Sequence, residues 1–170
     1  AGLYSAGERG TADKAKDPAE LSGANTLAEM AALDALLRRT IADRLMAQGV
    51  TIFRPDTCVI DADVEVAADA VIEPFVQLLG NTRIGEDSRV RSYSVLQNST
   101  VGNHVLVRNS CVLDDSTVGD GASIGPFAHL RPGSQIGGGA HVGNFVETKN
   151  ARLGAGSKAN CRPRKIARSA

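Results

Sequence analysis

Residues 118–142 read VGDGASIGPFAHLRPGSQIGGGAHV. Within them an aliphatic residue returns at every sixth place, as Val118, Ile124, Leu130, Ile136 and Val142. Two residues before each of the last four stands a small one: Ala122, Ala128, Ser134 and Ala140. Glycine follows the aliphatic residue at Gly119, Gly125, Gly137 and Gly143. Coupled patterns of this kind are an internal repeat, and a repeat decides architecture before any secondary structure is assigned.

The beat extends in both directions. Upstream it runs back to Ile60 through Val66, Ile72, Leu78, Ile84, Val90, Leu96, Val101, Val107 and Val112, with steps of five into Val101 and Val112. Downstream it closes on Thr148 and Leu153. The slot two places earlier stays small or β-branched, from Cys58 to Ala151. The physical reading is all-β: a parallel β-helix, a prism with three short strands per coil. The large aliphatic points inward and stacks on its copies. The small residue points in near a corner, and glycine allows the turn. Three faces make a coil of 17 or 18 residues, as Ile84, Val101, Val118, Ile136 and Leu153 show. A single coil cannot bury its own apolar face, so stability comes from stacking. In this phase Cys58 belongs to the core, and Cys111, beside Val112, points outward or toward a corner.

A helix of about residues 26–48 precedes the prism. Thr26-Leu27-Ala28-Glu29 has the spacing of a capping box. Leu27, Met30, Leu33, Leu37, Ile41 and Leu45 recur at helical intervals, and Gly49 is a stop signal. The expected role is an amphipathic linker helix packed on a neighbouring domain. Residues 1–20 are polar with little to bury, so disorder is the default there.

Composition narrows the function classes. The chain has 170 residues with 19 basic and 19 acidic side chains, so no bulk charge favours nucleic acid or membrane. Aromatic residues make up only 4% and Trp is absent, which removes a base-stacking platform. No apolar run approaches the roughly 20 residues of a membrane span, and no secretion signal opens the chain. Three dispersed cysteines point to reduced thiols and a cytoplasmic setting. The SAGERGT stretch lacks the preceding strand and the spacing of a nucleotide-binding loop.

The repeat resembles the hexapeptide-repeat, left-handed β-helix proteins. IGPFAHLRPG (124–133) and GAHVGNFVETKNARLGAGSKAN (139–160) are similar to the bifunctional bacterial N-acetylglucosamine-1-phosphate uridyltransferases / glucosamine-1-phosphate acetyltransferases. GANTLAEM (23–30), its helix and the following AQGV resemble their interdomain connector. The resemblance implies four segments. Residues 1–21 are disordered or a remnant of the uridyltransferase domain, 22–51 the connector, 52–160 a left-handed β-helix of roughly six coils, and 161–170 a basic tail. It also implies a homotrimer with acetyl-transfer sites between subunits, and a role in UDP-N-acetylglucosamine synthesis for cell-wall precursors.

Site residues carry over by motif. The resemblance makes Arg131 and Lys149 the cations that hold the acceptor's phosphate. They lie 18 residues apart, one full coil, so they project at adjacent levels. Glu147 is the motif's acidic residue, placed to orient a base or receive the amine. Without the motif, the three read as a surface ion network. The family's general-base His falls at Cys161 here, and its acceptor-holding Tyr at Arg164. A thiol, with its ordinary pKa near ~8.5, is a nucleophile more than a proton shuttle. The hexapeptide phase stops after Asn160, and the coils that would bind the co-substrate acetyl-CoA do not follow. That reads as a coding frame shifted or cut there. Asn25 stands at a Mg²⁺ position of the uridyltransferase site, whose acidic partner has no counterpart in the sequence.

Two functional classes therefore compete: an acetyltransferase, and a trimerising, non-catalytic β-helix that binds sugar phosphate. A zinc reading, as in β-helix carbonic anhydrases, needs three converging histidines. His129 and His141 are 12 residues apart, two faces round the prism, and His104 is also off register.

Overall fold

The computed structural model describes residues 26–160. The described residues fall into two compact units, one ending at Asp34 and the other beginning at Ala35. In the first, Thr26 caps the start of helix α1 (Leu27–Ala47). The Glu29 amide donates to the Thr26 hydroxyl, and the Thr26 amide donates to the Glu29 carboxylate, both at 3.1 Å. That is the capping box expected from the sequence, and it satisfies two of the helix's orphan donors.

In the second unit the remainder of α1 buries Ile41, Ala42 and Leu45. Leu37 in the same unit is exposed. Arg39 bridges Asp43 and Asp56 at 3.0 and 3.2 Å, tying the helix to the turn Pro55–Thr57.

Three parallel sheets form the prism. Face 1 has seven strands, from Thr51–Ile52 to Lys158–Ala159. Face 2 has six, from Val59–Ile60 to Glu147–Thr148, and face 3 has six, from Glu65–Val66 to Arg152–Leu153. The chain passes face 2, face 3, face 1 and then the next coil, giving a left-handed β-helix of about six turns. Coils are joined by parallel ladder bonds, such as the Val71 amide to the Ser88 carbonyl at 2.9 Å. Each coil lies about 4.8 Å above the last.

The core is a set of columns. Leu78, Leu96, Leu113 and Leu130 stack inside face 2, all at 0% exposure. Burying a side chain of this size contributes about 2–3 kcal/mol. The corner slot tolerates hydroxyls because each finds an acceptor. Ser88 donates to the Gly102 carbonyl at 2.7 Å, Ser94 to Arg108 at 2.9 Å, and Ser134 to Arg131 at 2.6 Å.

One stretch departs from the sequence reading. Leu113, not Val112, is the inward residue, and the five-residue step falls between Leu113 and Val118. Cys111 is fully buried in the small slot, contrary to the outward or corner position expected. Val112 and Leu113 are both aliphatic, and Ser110 and Cys111 are both small, so the pattern allows two phases. The backbone selects one: Ser110 takes the corner, with φ 57°, and the Cys111 thiol enters the core. There its sulfur fills the space beside Gly125, where any Cβ would collide with it.

The corrected phase makes a direct prediction. Leu113→Ala should destabilise the prism by about 2–5 kcal/mol, as a cavity in a packed column does. Val112→Ala should cost well under ~1 kcal/mol, because that side chain faces water. Chemical denaturation of both variants checks the assignment, and equal losses would restore the other phase.

Candidate functional site

Arg131 and Lys149 leave face 2 at the corner it shares with face 3. Their strands, His129–Leu130 and Glu147–Thr148, pair with His129 opposite Glu147 and Leu130 opposite Thr148. The Arg131 amide donates to the Thr148 carbonyl at 2.9 Å, which extends the register and stacks Arg131 on Lys149. Inside the prism the Ser134 and Thr148 hydroxyls lie 2.9 Å apart, so Thr148, the one polar residue in the aliphatic column, has a partner. Beyond Arg131 the chain turns at Pro132-Gly133. Gly133 has φ 80°, and a side chain there would strike Asn150. The turn is thus fixed by close contact with the coil above.

The three motif residues are brought together on the surface. Arg131 donates to Glu147 at 3.0 Å, with the side chains 42% and 59% exposed. Such a pair is worth about 0–1 kcal/mol. Lys149 is exposed and makes no ion pair among the described residues. Two cations and one carboxylate on adjacent coils suit an incoming anion: a planar fork and a point charge aimed at one place, with the carboxylate beside them. Cys161 and Asn25, the sequence candidates for the base and for a metal ligand, lie outside the described residues, as does Arg164.

The histidines occupy separate places. His129 is on face 2, His141 on face 1, and His104 sits at the corner of faces 3 and 1, with its Nδ1 3.0 Å from Asp87. Among the described residues no group of three His, Cys, Asp or Glu side chains is placed to hold a metal. Burial pushes the Cys58 and Cys111 thiols up, against weaker lowering by nearby hydrogen bonds. Both are inert core residues at neutral pH. Sequence reasoning missed a groove of about 330 Å³ on face 1, lined by Arg108, His141, Asn144 and Asn160. His141, Asn144 and Asn160 lie within the motif block 139–160, but the motif reading assigned them no role, and Arg108 lies outside it.

Comparison with known proteins agrees with this architecture. The pattern described as bacterial transferase hexapeptide (six repeats) matches residues 115–150, and the GMPPB C-terminal domain matches 55–125. The bifunctional protein GlmU of Koribacter versatilis (strain Ellin345) is 54% identical over 158 residues, covering 93% of this chain and 34% of that protein. That of Streptococcus agalactiae serotype V is 41% identical over 154 residues, covering 91% and 33%. The chain thus spans about a third of the length of these relatives. Perosamine N-acetyltransferase from Caulobacter crescentus, solved with CoA and GDP-perosamine, superposes with a TM-score of 0.62. It is 19% identical, over 74% of this chain and 61% of that one, and so shares the fold. No helix among the described residues is long and apolar enough to cross a membrane. With its repeat, its coils and its relatives in agreement, the chain belongs to the hexapeptide-repeat, left-handed β-helix family, as a relative of the GlmU acetyltransferase domain.

Proposed function

We propose that this chain is the acceptor-binding part of an acetyltransferase domain that acts on glucosamine-1-phosphate in the making of UDP-N-acetylglucosamine for the cell wall. The observation that carries this is the stacking of Arg131 on Lys149, with Glu147 hydrogen-bonded to the guanidinium. The phosphate of the acceptor binds between the guanidinium and the ammonium, and Arg131 releases Glu147 as it turns to the ligand. Glu147 is then free to receive the sugar's 2-amino group. The exchange is cheap, because an exposed ion pair is replaced by charge-assisted bonds to a doubly ionised group.

Acetyl-CoA is the donor in this reading: the amine attacks its thioester carbonyl, the C–S bond breaks, and CoA leaves as a thiolate that takes up the proton the amine gives up. Removal of the amine proton is the weak step. The family's histidine is replaced by Cys161, a residue type that accepts a proton poorly at neutral pH. That substitution favours a second reading, in which the chain binds sugar phosphate and assembles but transfers nothing. Mg²⁺ belongs to uridyl transfer, for which Asn25 is the one matching residue, and nothing here is routed through it. A cytoplasmic setting and a homotrimer complete the proposal.

Isothermal titration of glucosamine-1-phosphate, paired with an acetyl-CoA turnover assay on the same sample, tests both readings. Saturable binding is expected. Arg131→Ala or Lys149→Ala should weaken it by roughly ten-fold or more, since a hydrogen bond to a charged group is worth about 1.5–3 kcal/mol. No binding by the parent chain would sink the proposal, while binding without turnover would select the non-catalytic reading.

Glu147→Gln separates ligand binding from folding. It should change the unfolding free energy by less than ~1 kcal/mol, because the pair is exposed. A larger loss in denaturant titration would mean that the trio is structural.

A further inference from the structure

The residue that follows face 1 in each coil forms a column of its own. The amides of Glu73, Arg91, Arg108, Gly125 and Gly143 each donate to the strand of the next coil, at 2.7 to 3.0 Å. The column therefore runs Glu73, Arg91, Arg108, Gly125, Gly143 and Asn160. Its charges are matched at the start and unmatched further on. Glu73 accepts from Arg89 at 2.9 Å and lies 4.0 Å from Arg91. Arg108 makes no ion pair among the described residues, and its Nε is buried without a hydrogen-bond partner. Native folds rarely leave a buried, charged donor unpaired, because its desolvation is then uncompensated.

Beyond Arg108 the column carries no side chain for two coils, at Gly125 and Gly143, and there the surface opens into the groove of about 330 Å³. Arg108 borders it at one end and Asn160 at the other. A side chain on Gly143 would collide with Asn160, so the Asn160 carboxamide lies over that glycine. His141 precedes Gly143 on face 1 and Asn144 follows it, and both line the groove. Ser123, whose Oγ is likewise buried without a partner, stands one rung from His141 on the same face. The lining thus offers a guanidinium, an imidazole and two carboxamides, and no Asp or Glu. The column's own carboxylate, Glu73, is two coils from Arg108 and already engaged.

We propose that this groove binds a phosphate-type oxyanion, free or carried by a small phosphorylated metabolite. The guanidinium supplies a planar fork of donors at one end, Nε among them. The imidazole donates from the ring nitrogen that carries its proton, and each carboxamide donates through its NH₂ group. Small-molecule sites run from about 300 to 1,000 Å³, so a groove at the lower end fits an ion or a short phosphomonoester. The site shares no residue with Arg131, Glu147 and Lys149, and it follows face 1 where they follow face 2. It stands independently of the proposed function.

The chain has three histidines, so proton NMR of the full chain can follow each ring during titration with inorganic phosphate at fixed pH and ionic strength. The His141 signals, identified by their loss in His141→Gln, should shift saturably. Arg108→Gln should raise the dissociation constant at least ten-fold. Asn144→Asp sets a carboxylate in the groove at an exposed position and should do the same, deciding the matter alone if Arg108→Gln does not fold. Arg131→Ala with Lys149→Ala should leave the His141 titration unchanged. Glycerol-3-phosphate in place of phosphate distinguishes the sources: a shift with both supports a phosphorylated metabolite, and a shift with phosphate alone supports the free ion. No saturable shift at His141 with either probe would overturn the site, as would a shift unaltered in Asn144→Asp. A titration lost with Arg131 and Lys149 would overturn it too, while leaving the proposed function intact.

Discussion

The constraint on which everything else depends is the in-register parallel stacking of coils. Every residue sits above and below its own structural equivalents, so the molecule is a bundle of columns rather than a layered globule. The column inside face 2 must be large and aliphatic, and the slot beside it must be small. A misfit in one coil is felt by two neighbours. Cys111 and Gly125 show the tolerance: a sulfur enters the core at one level because a hydrogen stands where a side chain would be at the next.

That constraint explains what was legible. Column identity prints itself on the sequence as a period, so Ile84, Val101, Val118, Ile136 and Leu153 announced face 3 before any coordinates. The helix was legible for a different reason, since Thr26 and Glu29 form a local, reciprocal pair of hydrogen bonds. What failed was phase where two aliphatic residues adjoin. Val112 and Leu113 satisfy the period equally, and the choice is made by corner geometry around Ser110, which has no one-dimensional trace. The spacing of the linker helix marked its apolar stripe, of which Ile41 and Leu45 are buried, but spacing says nothing about what lies opposite the rest.

The site was legible only as a motif. Arg131, Glu147 and Lys149 have ordinary exposure for charged residues, and their spacing of one coil is shared by many surface pairs, including Arg83 and Glu65. Period alone says that they are neighbours, and motif says why they matter. The aromatic corner is the reverse case. No motif marks Phe75, Tyr93, Phe127 and Phe145, yet they stand out physically, because each combines a bulky side chain with positive φ, a conformation that costs about 1–3 kcal/mol.

Magnitudes describe both kinds of surface feature. The Arg131–Glu147 pair is worth at most about 1 kcal/mol in water, so it can open for a ligand without loss to the fold. The aromatic residues at positive φ carry a comparable strain each, offset in part by the stacking of Phe75 on Tyr93 and of Phe127 on Phe145. A pair that opens at so little cost suits a transient ligand. The charged trio and the stacked rings lie on different corners of the prism, beside the turns at Pro132-Gly133 and Pro126-Phe127 respectively.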